Sequence, residues 1–208
     1  MRGDSGIPVY YFPQEHVTLG HPHPSGRVVT VETKGNATFW NAGVGDCLAE
    51  NAAWTFDDAE GDAAVTKGYV AFDWSQIDRW FEEDAEAFVH ARDPYHRVDV
   101  VDSRRSVRVV VGGKVLAKTT RSRVLFETGL PVRYHIPPED VMIEVMEPSS
   151  TVTQCPYKGS AEYFRCESAA TILEDIGWTY PDAIEEYPRM AGYICFFNER
   201  VDDIFVDG

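Results

Sequence analysis

Cys155-Pro156-Tyr157-Lys158 brings a thiol, a phenol and an amine together within one short stretch. A lysine three positions from a cysteine could lower the thiol pKa and favour the thiolate, which is the nucleophilic form. The chain contains a second version of this stretch, Val31-Glu32-Thr33-Lys34, which keeps the lysine and places valine at the cysteine position. Valine is the replacement expected for a cysteine that fills a core. Packing is therefore the leading account of Cys155, and a redox or nucleophilic centre is the competing one. Lys158-Gly159 persists as Lys34-Gly35. The glycine suits a turn that needs positive φ, and the lysine suits a charged anchor for a ligand.

Other polar groups offer partners for that lysine. Glu127, Tyr134 and Asp140 stand beside prolines at loops or strand ends. A buried carboxylate close to Lys158 would be half of an ion pair or a general base. Asp140, in Pro-Glu-Asp-Val, also reads simply as a turn residue. Trp178 and Tyr180, doubled by Trp54 and Phe56, could wall a pocket for a planar or cationic ligand, although core packing is the default for shared aromatics. Tyr95 and Arg97, in the segment Phe88–Arg97, add an outlying aromatic and an anion-binding cation. His21-Pro22-His23 has two imidazoles and no evident third ligand, so no metal site is expected there.

The elements that carry these groups are duplicated. Residues 13–84 return as residues 137–208 at a constant offset: Lys34-Gly35-x-Ala37 becomes Lys158-Gly159-x-Ala161, and 158 − 34 = 124. Trp54-Thr55-Phe56 likewise becomes Trp178-Thr179-Tyr180, and Gly68-Tyr69-x-x-Phe72 becomes Gly192-Tyr193-x-x-Phe196. After a one-residue slip, Gly6-Ile7-Pro8-Val9 matches Gly129-Leu130-Pro131-Val132. A repeat this long is a duplicated domain and not a solenoid.

Val107–Val111 and Val115–Thr119 flank Gly112-Gly113, a hairpin signal, and Ser122–Phe126, Val141–Met146, Gly192–Phe197 and Val201–Val206 read as further strands. Only Pro181–Met190 and Ser75–Glu83 suit a helical turn or two. The first copy has no counterpart of residues 107–126 and so lacks the leading hairpin. The edge left open would be covered by the second copy, by a partner chain as in a homodimer, or by residues upstream of the present start; intramolecular cover is the favoured solution. The expected organisation is a truncated copy over residues 1–84, a connecting strap over 85–102 and a complete copy over 103–208.

Composition narrows the partners. A formal net charge of −15 repels nucleic-acid backbone and anionic lipid, and it reads most simply as a means of solubility. No stretch approaches membrane-spanning length, no secretory leader is apparent, and the four cysteines are scattered. These features predict a cytoplasmic protein without disulfides, and the lack of any Cys-x-x-Cys pair argues against thiolate zinc. No cofactor is expected. The expected state is monomer or homodimer.

Taken together, Phe126-Glu127-Thr-Gly-Leu-Pro131, Tyr134, Pro138-Glu-Asp-Val141, Cys155-Pro-Tyr-Lys-Gly159-x-Ala161, Trp178-x-Tyr180-Pro181 and Gly192-x-x-x-Phe196 resemble the bacterial family catalogued as domain of unknown function 427, in its tandem form. That family sometimes carries the label nucleotidyltransferase-like. The resemblance implies a mainly β fold of two tandem β-tent-like domains with few short helices. Relatives of that fold hold zinc with two Cys pairs, and this chain has neither pair. The resulting expectation is a small-molecule-binding β module, with its pocket in the second copy or between the copies. Lys158 would be the anchor, Tyr134, Tyr157 and Trp178 the walls, Glu127 or Asp140 the polar partner, and Tyr95 and Arg97 peripheral. An enzyme centred on Cys155 and a structural interaction module are the alternatives.

Overall fold

A computed structural model of the chain describes residues 6–18, 23–168, 171–184 and 186–208. His21 and Pro22 of the histidine pair lie outside them. The chain divides into two compact units, Met1–Asp93 and Pro94–Gly208. Both are built of strands, and the helical segments among the described residues are 3-10 turns of three to six residues. No helix among these residues is long and apolar enough to cross a membrane.

Unit 1 contains β1 (Tyr11–Pro13), β2 (His23–Val31), β3 (Gly35–Val44), β4 (Cys47–Thr55), β5 (Tyr69–Phe72), β6 (Trp80–Glu82) and β7 (Ala85–Ala87). The first five form one antiparallel sheet in the order β1-β5-β4-β3-β2. Unit 2 contains β8 (Val98–Asp102), β9 (Val107–Val111), β10 (Lys114–Thr119), β11 (Arg123–Glu127), β12 (Arg133–Ile136), β13 (Met146–Cys155), β14 (Gly159–Ser168), β15 (Thr171–Thr179), β16 (Ile194–Phe196) and β17 (Asp203–Val206). Its larger sheet runs β13-β14-β15-β16-β12-β11-β8, and a smaller one runs β10-β9-β17.

The duplication holds at the level of hydrogen-bond register. Phe39 faces Trp54 across β3 and β4, as Tyr163 faces Trp178 across β14 and β15. Trp54 faces Ala71 as Trp178 faces Cys195. The five strands of the unit 1 sheet therefore correspond to β12-β16-β15-β14-β13, and β11 and β8 have no counterpart in it. The structure is a tandem of mainly β domains.

The leading hairpin distinguishes the two units. In unit 2, alternation along β9 buries Val107, Val109 and Val111, which pack on Ile136, Ile194 and Phe196 of the larger sheet. Gly112 and Gly113, both at positive φ, make the turn that returns the chain as β10. Unit 1 has no such valines. There β6 pairs with β7 instead, and aromatic rings cluster beside β1: Trp74 stacks on Trp80 at 4.5 Å, and Phe12 meets Phe72 at 6.0 Å.

Two expectations are corrected. The strap is not one element, because Ala85–Ala87 is a strand of unit 1 while Val98–Asp102 is the edge strand of the unit 2 sheet, paired with β11. Val141–Met146 is not a strand. Val141 and Met146 are buried with four exposed residues between them, a spacing that no period of two can produce, and Ile143–Val145 is a 3-10 turn leading into β13.

The larger sheet of unit 2 has apolar contacts on both faces, and alternation assigns the side chains. Along β16, Ile194 and Phe196 join the cluster that contains the hairpin valines, while Cys195 joins the opposite cluster with Trp178, Tyr180, Leu125, Val98 and Met190. Along β12, Tyr134 and Ile136 belong to the hairpin side. His135, opposite Cys195 in register, belongs to the other. The second face is the one that Lys158 joins.

Candidate functional site

Lys158 is placed by the turn between β13 and β14. Its N–H donates to the Cys155 carbonyl at 3.3 Å, and its own carbonyl accepts from Ile184 N–H at the same distance. Gly159 then takes φ +101°, and a Cβ there would lie 3.0 Å from the Asp182 carbonyl oxygen. Gly35 repeats the device at φ +89°. Both facts require glycine, so the retained Lys-Gly pair has a structural reason for its second member. Gly159→Ala is expected to cost about 1–3 kcal/mol, read as a lowered urea midpoint; an unchanged midpoint would show that the turn relaxes without strain.

The lysine side chain is 7% exposed and forms an ion pair with Glu127, whose side chain is 5% exposed. Glu127 ends β11, and its second oxygen lies 3.0 Å from His96 Nε2. The His96 ring stacks on Tyr157 at 4.2 Å with 20° between planes. Backbone bonds fix this approach: Arg97 N–H donates to Thr128 Oγ1 at 2.9 Å, and Thr128 N–H donates to the Arg97 carbonyl at 2.9 Å. A buried carboxylate thus joins an ammonium on one side and an imidazole on the other. Partners on both sides offset the cost of removing these charges from water.

Around this relay lies a low-dielectric wall. Trp178 packs against Phe197 at 4.2 Å and meets the edge of His135 at 6.4 Å. His135 is fully buried, and neither ring nitrogen has a hydrogen-bond partner among the described residues. Burial, assisted by the Lys158 charge, pushes its pKa down to about 3, so the ring stays neutral at ordinary pH. Burial likewise raises the Tyr180 phenol, with smaller contributions from Cys155 and Glu127, and pushes the Cys195 thiol up to about 12. Neither group is a nucleophile at neutral pH.

The expected residues separate. Lys158, Glu127, Tyr157 and Trp178 are together in unit 2, on the face of the larger sheet opposite the hairpin. Cys155 ends β13 half-buried, opposite Gly159. Tyr134 packs with the opposite cluster, because one step along a strand reverses the face. Asp140 is elsewhere: it accepts from Thr119 Oγ1 at 2.6 Å and from both arms of Arg121 at 3.0 Å, and Arg121 holds its carboxyl below the usual range. Arg97 contributes backbone only, since its exposed guanidinium pairs with Asp99. Tyr95 is 79% exposed. His96 and His135 were the residues that sequence reasoning did not select. The alternation Tyr134-His135-Ile136 was the available signal for the second, and for the first it was only its place among the acid–base groups of the segment Phe88–Arg97. Among the described residues, no group of three or more His, Cys, Asp or Glu side chains could hold a metal ion.

In unit 1 the corresponding face is open. Lys34 lines a cleft of about 550 Å³ with Arg27, Tyr11, Phe39, Trp54 and Phe56. Glu50, Asn51, Asp73 and Gln76 are also at its wall. Asp73 is already engaged, accepting from Ser75 N–H at 2.9 Å and Ser75 Oγ at 2.7 Å. Arg27 lies 4.5 Å above the Phe39 ring. Where unit 2 places Leu125 and Val98 from β11 and β8 over its lysine face, the described residues of unit 1 place open space.

The family model described as a domain of unknown function (DUF427) matches two segments, residues 4–83 and residues 99–207. No curated protein matches the chain.

Proposed function

The chain belongs to this DUF427 family, and on that premise we propose that it is a small-molecule-binding protein whose ligand occupies the lysine face of the repeat in unit 1. The observation that carries this reading is the cleft of about 550 Å³ with Lys34 and Arg27 among its aromatic walls. A volume of that order accommodates a metabolite, and the wall combines four aromatic rings with six polar or charged side chains, so a ligand would meet both a stacking surface and hydrogen-bonding groups. Two cations beside Phe39 and Trp54 favour a planar ligand that carries a carboxylate or another anion.

This moves the site from the copy expected to hold it. In unit 2 the matching lysine is satisfied by Glu127, and strands β8 and β11 supply the apolar cover. Unit 2 then serves as the closed member of the pair. The same sheet with two additional strands has a packed polar relay in place of a cleft.

A thermal-shift screen of aromatic carboxylates against the full chain tests the proposal. A binder should raise the unfolding midpoint of the wild type, and Lys34→Ala or Trp54→Ala should each weaken it at least about tenfold, the scale of one charge-assisted contact. Lys118→Ala, outside the cleft, should leave the affinity unchanged. A binder indifferent to Lys34 and Trp54 would place its site elsewhere.

A further inference from the structure

We infer that unit 2 carries a second, separate site: an oxyanion groove suited to phosphate or a small phosphate monoester, formed by the Asp102–Arg105 loop and the Thr119–Arg123 turn. The inference is independent of the reading of the unit 1 cleft. The groove has a volume of about 600 Å³, and Arg104, Arg121, Arg123, Ser103, Ser122 and Tyr193 line it together with Thr120 and Asp102. Its lining holds three guanidinium groups and one carboxylate, and two further carboxylates, Glu139 and Asp140, stand behind Arg121.

The charges in the groove are not equally committed. Arg121 is held by Asp140 and Glu139, each at 3.0 Å. Arg123 stands 3.6 Å from Asp102, with its guanidinium 4.1 Å above the Tyr193 ring. Asp102 is further occupied by Arg189. Arg104 is exposed and makes no ion pair or hydrogen bond among the described residues. An arginine of that kind presents a planar fork of donors, the geometry that matches phosphate oxygens two at a time.

A buried hydroxyl provides the independent observation. Ser122 is 1% exposed and lines the groove, and its Oγ has no hydrogen-bond partner among the described residues. A buried hydroxyl without a partner is costly, and an oxyanion in the groove would accept from it. The surrounding backbone is fixed: Ser103 N–H donates to the Ser122 carbonyl at 2.8 Å, Arg105 N–H to Ser103 Oγ at 3.2 Å, and Arg121 N–H to Thr119 Oγ1 at 3.1 Å. The two loops are tied to each other, and Arg104 keeps its donors available. Such preorganisation lowers the cost of binding. Both loops flank the leading hairpin, the part of the domain that the first copy lacks, so the groove exists once in the chain.

Titration of the ¹⁵N-labelled full chain with sodium phosphate and with phenyl phosphate, against sodium chloride at matched ionic strength, tests this. Saturable amide shifts at Ser103–Arg105 and Thr120–Arg123 are expected, with affinity falling about tenfold in Arg104→Ala and in Ser122→Ala. Tighter binding of phenyl phosphate than of inorganic phosphate would identify a phosphorylated organic ligand, and equal binding would identify the free ion. The inference is overturned if chloride produces the same shifts, or if both variants, folded by their own spectra, bind as the wild type does.

Discussion

Lys158→Met should destabilise the protein by about 3–5 kcal/mol, because it leaves the buried Glu127 carboxylate without its ammonium. The two side chains are 7% and 5% exposed, so water cannot replace the lost partner as it would at a surface pair. His96, 3.0 Å from the other carboxylate oxygen, retains one contact and is the reason the loss should stop short of complete unfolding. Glu127→Leu alone should be similarly costly, since it strands the lysine. The double variant Glu127→Leu/Lys158→Met should recover most of the loss, because an apolar pair of similar size carries no desolvation penalty. Urea unfolding of the four proteins measures the coupling directly. Single variants within about 0.5 kcal/mol of wild type would mean that this pair is solvated in solution, and the account of unit 2 as the closed copy would fail with it.

Acid should destabilise the protein through His135, and His135→Leu should remove that dependence. The ring is buried and neutral, with a folded-state pKa of about 3, while in the unfolded chain it titrates near its ordinary value of 6.5. The group's contribution is therefore fully present above about pH 6.5 and is lost as pH falls towards 3, where the unfolded chain takes up a proton that the folded chain does not. Within that window the slope from this one group approaches about 1.4 kcal/mol per pH unit. Carboxylates held low, such as Asp140 beside Arg121 and Glu199 beside Arg133, add their own losses at lower pH. Stability measured from pH 7 to pH 5, above the range where those carboxyls dominate, isolates the histidine. A wild type and a His135→Leu variant with parallel pH profiles would show that the imidazole reaches water or a partner in solution.

Much of the architecture was legible in the residues alone. The offset of 124 between Lys34-Gly35 and Lys158-Gly159 reappears as identical cross-strand pairing at Phe39–Trp54 and Tyr163–Trp178. Strand alternation and the Gly112-Gly113 turn located the leading hairpin, and its absence from the first copy was equally plain. The pairing of Lys158 with a buried carboxylate was one of two open readings of Glu127. These features depend on near neighbours in sequence, on the period of two in a strand and on the positive φ that glycine supplies.

Where the open site lies was decided elsewhere. Loss of the leading hairpin suggested that the first copy was scaffold and that the second kept the cavity. On the reading proposed above the open lysine face belongs to unit 1 instead: β8 and β11 add Val98 and Leu125 to the lysine face of unit 2, and the described residues of unit 1 leave that face as a cleft. Tyr134 and Asp140 left the set because one lies on the opposite face of the sheet and the other is held by Arg121. His96 entered it only because the paired backbones at Arg97 and Thr128 carry a loop residue 31 positions along the chain to Glu127. The sequence by itself thus determined the duplication, the leading hairpin and the lysine turn, all of which follow from local periodicity and backbone preference. Only the tertiary structure decided which lysine is buried against a carboxylate and which lines a cleft, because burial of a charge depends on side chains brought in from distant strands.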